Sequence, residues 1–163
     1  MKSKLYIETS IISYLTARPS RDTFVLANQM LAKEWWNEYR NRFQTFVSEL
    51  VINEIARGDE GMARLRLHAV RDIPLIDITD EAYDLAREIL RRKILPEKAA
   101  VDVSHISISS VHEMEYLLTL NCRHIANVFI YRRIREVCKD FGYEPPEICT
   151  LQEILKKENK LDD

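Results

Sequence analysis

The chain has 163 residues, 46% of them apolar and 31% charged, with a formal net charge of −2. That length suits one domain with a full hydrophobic core, and that mixture excludes a disordered chain. The near-neutral balance excludes a wholly basic nucleic-acid binder, and no apolar run approaches the ~18 residues of a membrane span.

The opening MKSKLYIETS lacks the long apolar region of a signal peptide, so a cytoplasmic protein is expected. Lys4 to Ile7 reads as a first strand ending at Glu8, and Thr9 or Ser10 then caps a short helix through Ile11, Ile12, Tyr14 and Leu15. A carboxylate at that point is stabilised by a metal or by backbone N–H groups. A plain helix-start charge is the equal alternative.

After Pro19 and Ser20 the pattern predicts a long helix from about Arg21 to Phe43, with Phe24, Ala27, Leu31, Trp35 and Tyr39 on its inner face. Trp35 and Trp36 cannot both face one core, so one belongs to a core margin or a partner surface. Gln44 to Val47 is a second strand, and Ser48 caps the helix SELVINEIARG, which Gly58 ends. Leu50, Val51 and Ile55 mark its buried stripe, and Glu54 falls on that stripe. A carboxylate there is costly unless it is paired or ligates a metal, which makes Glu54 a site candidate.

Gly61 to Arg71 reads as a helix through Met62, Leu65 and Val70, with Arg64, Arg66 and Arg71 outward. Pro74 to Asp77 is a third strand. Thr79 caps a helix whose inner stripe is Ala82, Leu85, Ala86 and Ile89, and Arg91-Arg92-Lys93 closes it as a solvated basic face.

The stretch from Ala99 to Asn127 organises the rest. Val103 to Ile108 alternates as a strand would, but a helical crossover is needed before the next parallel strand, so helix is preferred. That helix puts Asp102, His105, Ser109 and His112 on one face. Tyr116 to Thr119 is a buried parallel strand, and Thr119 to Asn121 sit at its carboxyl end, where ligands bind in open α/β sheets. A further helix follows Asn121, carrying Ile125, Val128, Phe129, Ile134 and Val137, and Gly142 with Pro145-Pro146 ends it. Glu147 to Cys149 is an edge strand and Leu151 to Lys157 a terminal helix, followed by the polar tail ENKLDD.

Cys122, Cys138 and Cys149 are odd in number and read as reduced thiols; without a second close pair, Cys122-x-His124 is a poor zinc motif. No Gly-rich phosphate loop is present, which argues against nucleotide binding. Glu8, Glu54 and Asp102 thus stand out on independent grounds. Converging carboxylates repel unless a cation lies between them, and oxygen ligands without a Cys/His cage suit Mg²⁺ or Mn²⁺. Such a cation in a cleft serves phosphodiester hydrolysis.

YIETS, SELVINEI, VDVSHISISS and YLLTLN, in that order, resemble the PIN domain, and within it the VapC-like toxins of type II toxin–antitoxin pairs. The resemblance runs from Leu5 to about Thr150. It implies a three-layer α/β/α sandwich with a small, mainly parallel sheet: a PIN-like domain over residues 1–150, with 151–163 as its C-terminal helix and polar tail. It also implies an endoribonuclease dependent on Mg²⁺ or Mn²⁺, a homodimer, and an antitoxin that blocks the acidic cleft.

Carried over by residue, the resemblance makes Glu8, Glu54 and Asp102 the metal acids, with Ser10 and Thr119 as supporting hydroxyls. Asn121 stands where many members have a fourth acid, and Glu8 stands where they have aspartate. The extra methylene at position 8 adds ~1.5 Å of reach, and Asn121 offers an oxygen without charge. One bound ion is expected, or a second that arrives with the substrate phosphate. Arg123, Arg132 and Arg133 are candidates for the RNA backbone, and His105 and His124 for structural hydrogen bonds. The reading from another class is a PIN-like scaffold that binds RNA or protein without cleaving it.

Overall fold

Each of the short aliphatic runs is followed by a helical crossover, and that alternation dictates strands that all point the same way. The computed structural model describes residues 1–162, with side chains as far as Lys160; Asp163 of the expected tail lies outside the described residues. It contains five parallel strands: β1 (Lys4–Ile7), β2 (Gln44–Ser48), β3 (Leu75–Ile76), β4 (Tyr116–Leu118) and β5 (Glu147–Cys149). Their order across the sheet is β3-β2-β1-β4-β5, with Tyr6 opposite Phe46 on one side and Leu117 on the other. The expected mainly parallel sheet is wholly parallel among the described residues.

Successive side chains of β1 point to opposite faces, yet Leu5, Tyr6 and Ile7 are all fully buried, so both faces of the sheet are covered. The helices sort by contact into two groups. Helices α1 (Thr9–Thr16), α2 (Thr23–Glu34), α3 (Glu49–Ile55), α4 (Glu60–Val70) and α8 (Leu151–Asp162) form one. The other comprises α5 (Asp80–Arg91), α6 (Ala100–Val111) and α7 (Val128–Asp140). Several starts follow the expected chemistry: the side chains of Ser48 and Thr79 accept from the backbone N–H of Val51 and Ala82. Segment 100–111 is helical, as the crossover argument requires, and Ala82, Leu85, Ala86 and Ile89 are buried.

Other expectations are corrected. Neither Thr9 nor Ser10 caps α1; Glu8 holds the cap position, and both hydroxyls turn to carboxylates instead. The helix expected over 21–43 is α2, then a π-helical segment Trp35–Tyr39, then a 3₁₀ turn. Its inner face is Asn28, Gln29, Ala32, Trp35 and Tyr39, whereas Phe24 and Ala27 are exposed. The buried amides are satisfied locally: Asn28 donates to the Phe24 carbonyl, and Gln29 bridges the Arg18 carbonyl and the Ser20 N–H. Trp35 is fully buried while Trp36 lies at the margin under the Arg40 guanidinium, 4.5 Å from its ring centre. Leu65 is exposed, and Arg66 lies partly buried across the Ile55 and Arg57 carbonyls that end α3.

Residues 121–127 form turns rather than the start of a helix, and α7 begins only at Val128, where the Asn127 side chain accepts from the N–H groups of Phe129 and Ile130. Val128 and Phe129 are therefore exposed and outside the core. The polar tail is helical through Asp162 and docked. Glu158 is buried and paired with Arg42 at 3.4 Å, and Asn159 accepts from the Tyr39 hydroxyl at 2.7 Å.

All three cysteines are free: Cys122 is exposed, Cys138 and Cys149 are buried. Burial, with Glu153 nearby, pushes the Cys149 thiol from 9.0 up to about 12, and burial also raises the Tyr131 phenol above its usual 10.0. Both groups keep their protons in the fold where an unfolded chain would lose them. Their contribution to stability is complete below about pH 9 and falls as pH climbs toward 12, by up to about 1.4 kcal/mol per pH unit for each group. Urea midpoints are expected to drop across that window, and Cys149→Ala to flatten its lower part.

Candidate active site

The chain leaves β1 toward β2 on one side and returns from β3 to β4 on the other, so the carboxyl ends of β1 and β4 form the sheet's topological switch point. Glu8 follows β1 there, its N–H bonded to the Leu118 carbonyl at 3.0 Å. Its buried carboxylate accepts through Oε2 from the Ser10 hydroxyl and, at 2.7 Å, from the Thr119 hydroxyl. Both hydroxyls are held in turn: Ser10 Oγ accepts from the Leu120 N–H and Thr119 Oγ1 from the Asn121 N–H, each at 2.9 Å. Ser10 and Thr119 therefore both bond the Glu8 carboxylate.

Glu54 reaches the same region from α3. Its Oε1 accepts from the Thr9 hydroxyl at 2.7 Å and from His105 Nε2 at 2.6 Å, and that nitrogen lies 4.0 Å from Glu8 Oε1. Burial raises the Glu54 pKa, but the His105 hydrogen bond and charge, the Thr9 hydroxyl and Arg57 outweigh it and hold the carboxyl below its usual range.

His105 is itself fully buried, and both of its ring nitrogens are hydrogen-bonded. A carboxylate can only accept, so Nε2 donates to Glu54, and Nδ1 is hydrogen-bonded to the Tyr6 hydroxyl at 2.7 Å. That hydroxyl also shares a 2.7 Å hydrogen bond with Ser48, and Ser48 accepts from the Val51 N–H. Every member of this relay has a hydrogen-bond partner. Tyr6→Phe leaves Nδ1 without its hydrogen-bond partner in a dry site, and is expected to cost ~1–3 kcal/mol in urea unfolding. No measurable loss would mean that the relay carries none of the fold's stability.

Asp102 enters from α6. Its Oδ1 accepts from Asn121 Nδ2 at 2.9 Å and its Oδ2 from His124 Nδ1 at 2.7 Å, while Asn121 Oδ1 accepts from the His124 N–H at 3.1 Å. A continuous chain of hydrogen bonds thus runs from Asp102 through Asn121 and Thr119 to Glu8, with His105 standing between Glu8 and Glu54. Of the face expected on α6, Asp102 and His105 reach this edge. Ser109 bonds carbonyls of its own helix and His112 bonds the Asp77 carbonyl.

Arg123, Arg132 and Arg133 lie on the exposed surface following this edge and make no contact with its carboxylates. His105 and His124 make structural hydrogen bonds to Glu54 and Asp102, the use expected of them, whereas Thr9, which bonds Glu54, and Tyr6, which bonds His105, were not assigned a task by the sequence. Only the adjacency of Thr9 to Glu8 could have signalled its part.

The donor set is hard oxygen, the chemistry a small divalent cation takes. Among the described residues no three His, Cys, Asp or Glu side chains gather closely enough to enclose an ion. A cation at this edge has to share the carboxylates with the donors of His105, Asn121 and His124. Each acid keeps unused lone pairs for it.

Five parallel strands in this order, covered by helices on both faces, constitute a PIN-like fold of the VapC kind. Two solved structures share it. VapBC2 from Rickettsia felis, determined bound to a DNA fragment from their promoter, superposes with a TM-score of 0.54 at 14% identity, covering 90% of this chain and 98% of that one. Mycobacterium tuberculosis VapC20, a sarcin–ricin loop cleaving toxin, gives 0.51 at 14% identity, covering 73% and 91%. No protein-family model matches the chain, and no curated protein matches it by sequence. No described helix is long and apolar enough to cross a membrane.

Proposed function

We propose that this chain is a VapC-like ribonuclease that cleaves RNA phosphodiesters with Mg²⁺ or Mn²⁺. The observation that carries this reading is the hydrogen-bonded circuit at the switch point, which brings acids from β1, α3 and α6 to one edge of the sheet. Glu8, Glu54 and Asp102 hold the cation. When bound, it supplies Lewis-acid polarisation of the phosphodiester and a means of generating hydroxide at neutral pH.

The chain's own residues set the geometry. Ser10 and Thr119 pin one oxygen of Glu8 and leave the other directed to the His105 side. Thr9 and His105 pin one oxygen of Glu54, and Asn121 with His124 orients Asp102. Arg123, Arg132 and Arg133 take the RNA backbone. The protein acts in the cytoplasm as a homodimer, and a cognate antitoxin covers the acidic edge.

A second reading, a scaffold that binds RNA or protein without cutting it, is favoured by one observation: all three acids already have protein partners, and Asn121 adds no charge. Incubation with single-stranded RNA and Mn²⁺, with EDTA and Asp102→Asn controls, separates the two. Cleavage lost in both controls supports the enzyme. RNA retained without cleavage supports the scaffold.

A further inference from the structure

Charge is distributed unevenly along this chain. Its 26 acids outnumber its 24 lysines and arginines, yet Asn121 to Arg135 contains Arg123, Arg132, Arg133 and Arg135 and not one Asp or Glu. The other basic run is neutralised where it stands: Arg91 and Arg92 both bond Glu88, and Arg92 also bonds Asp140 at 2.8 Å. Arg135 lies near Glu144 and Glu147 at 3.8 and 3.7 Å. Among the described residues Arg123, Arg132 and Arg133 make no ion pair, and all three are exposed.

The same segment carries the most exposed aromatic ring of the described residues. Phe129 is 85% exposed and Val128 74%, while α7 buries Tyr131, Ile134, Val137 and Cys138 on its opposite side. Phe129, Arg132 and Arg133 stand at i, i+3 and i+4 and so share one helix face. The backbone that carries the ring is held: the Asn127 cap fixes the first turn of α7, and His124, five residues before Phe129, is bonded to Asp102.

An aromatic face flanked by unpaired guanidinium groups matches a nucleobase with its neighbouring phosphates. We propose that Phe129 is a stacking platform for an unpaired base of single-stranded RNA, with Arg132 and Arg133 on the adjoining phosphates and Arg123 on the side of Asp102. This inference rests on the reading of the edge as an RNA-cleaving site and adds where an unpaired stretch of the substrate is gripped.

Binding of a fluorescein-labelled single-stranded oligoribonucleotide, and of the same sequence as a duplex, is measured by anisotropy over a range of salt, with every protein carrying Asp102→Asn. Phe129→Ala is expected to weaken single-strand binding ~5- to 150-fold with an unchanged salt slope, and Phe129→Trp to preserve it. Arg132→Gln with Arg133→Gln should lower the salt slope by ~0.7 per lost phosphate contact. Single-strand binding unaffected by Phe129→Ala, or a duplex bound equally well, overturns the platform. So does a sedimentation change in Phe129→Ala, which would assign the ring to self-association. If the unsubstituted protein neither cuts nor retains RNA, the ribonuclease reading falls with the platform; if it cuts RNA and the Asp102→Asn parent binds RNA regardless of Phe129→Ala, only the platform falls.

Discussion

Asp102→Asn is expected to lower RNA cleavage by about 100-fold or more while leaving the protein folded, measured as initial rates on a labelled single strand beside thermal melts. The substitution preserves size but removes the charge, and it replaces one acceptor oxygen with an N–H₂ donor. Asp102 now accepts from Asn121 on one oxygen and His124 on the other, so the new amide must set a donor against one of them. Loss of one preorganised electrostatic group typically costs 10²- to 10³-fold in rate, about 3–4 kcal/mol. Full retention of cleavage would show that Asp102 does no more than brace the turn at residues 121–124.

Trp35→Ala should be the most destabilising single change in the core, at ~3–5 kcal/mol in urea unfolding. The indole is fully buried, with the Trp36 and Phe43 rings each 6.3 Å away, and it sits where the α2 helix opens into the π segment. Against a typical total of about 5–15 kcal/mol, such a loss brings a domain close to unfolding. Trp35→Phe keeps a ring in the cavity, and the indole N–H has no partner among the described residues, so that variant gives up area but no hydrogen bond. It should retain most of the stability and confirm that the effect is one of packing.

The parallel sheet was legible because its strands are short aliphatic runs separated by helix-length segments, and Glu54 because a charge on an apolar stripe has to be accounted for. What escaped has identifiable causes. A hydrophobic pattern rejects Asn28 and Gln29 as inner residues, and nothing local reveals that their amides are matched by carbonyls and an N–H nearby. The turn at 121–127 was signalled by its two asparagines: Asn121 accepts the His124 N–H, and Asn127 caps α7, both ordinary uses of that side chain. The docked tail depends on Arg42 and Tyr39, more than a hundred residues earlier, and no reading of ENKLDD alone could supply them.

The site was legible as a list of acids and hydroxyls but not as a circuit. Ser10, Thr119 and Glu8 do meet. The placing of His105 between two of the acids is different in kind: it arises only when β1, α3 and α6 are brought together.

The three sulfurs differ greatly in reach. Cys138 and Cys149 are buried, with thiols that resist ionisation, whereas Cys122 is open to water between Asn121 and Arg123. The native chain can therefore be labelled with a maleimide dye at one position, beside the acidic edge, without removing any cysteine. A fluorophore there would sense arriving ligands in real time, including ones that are held but never cut.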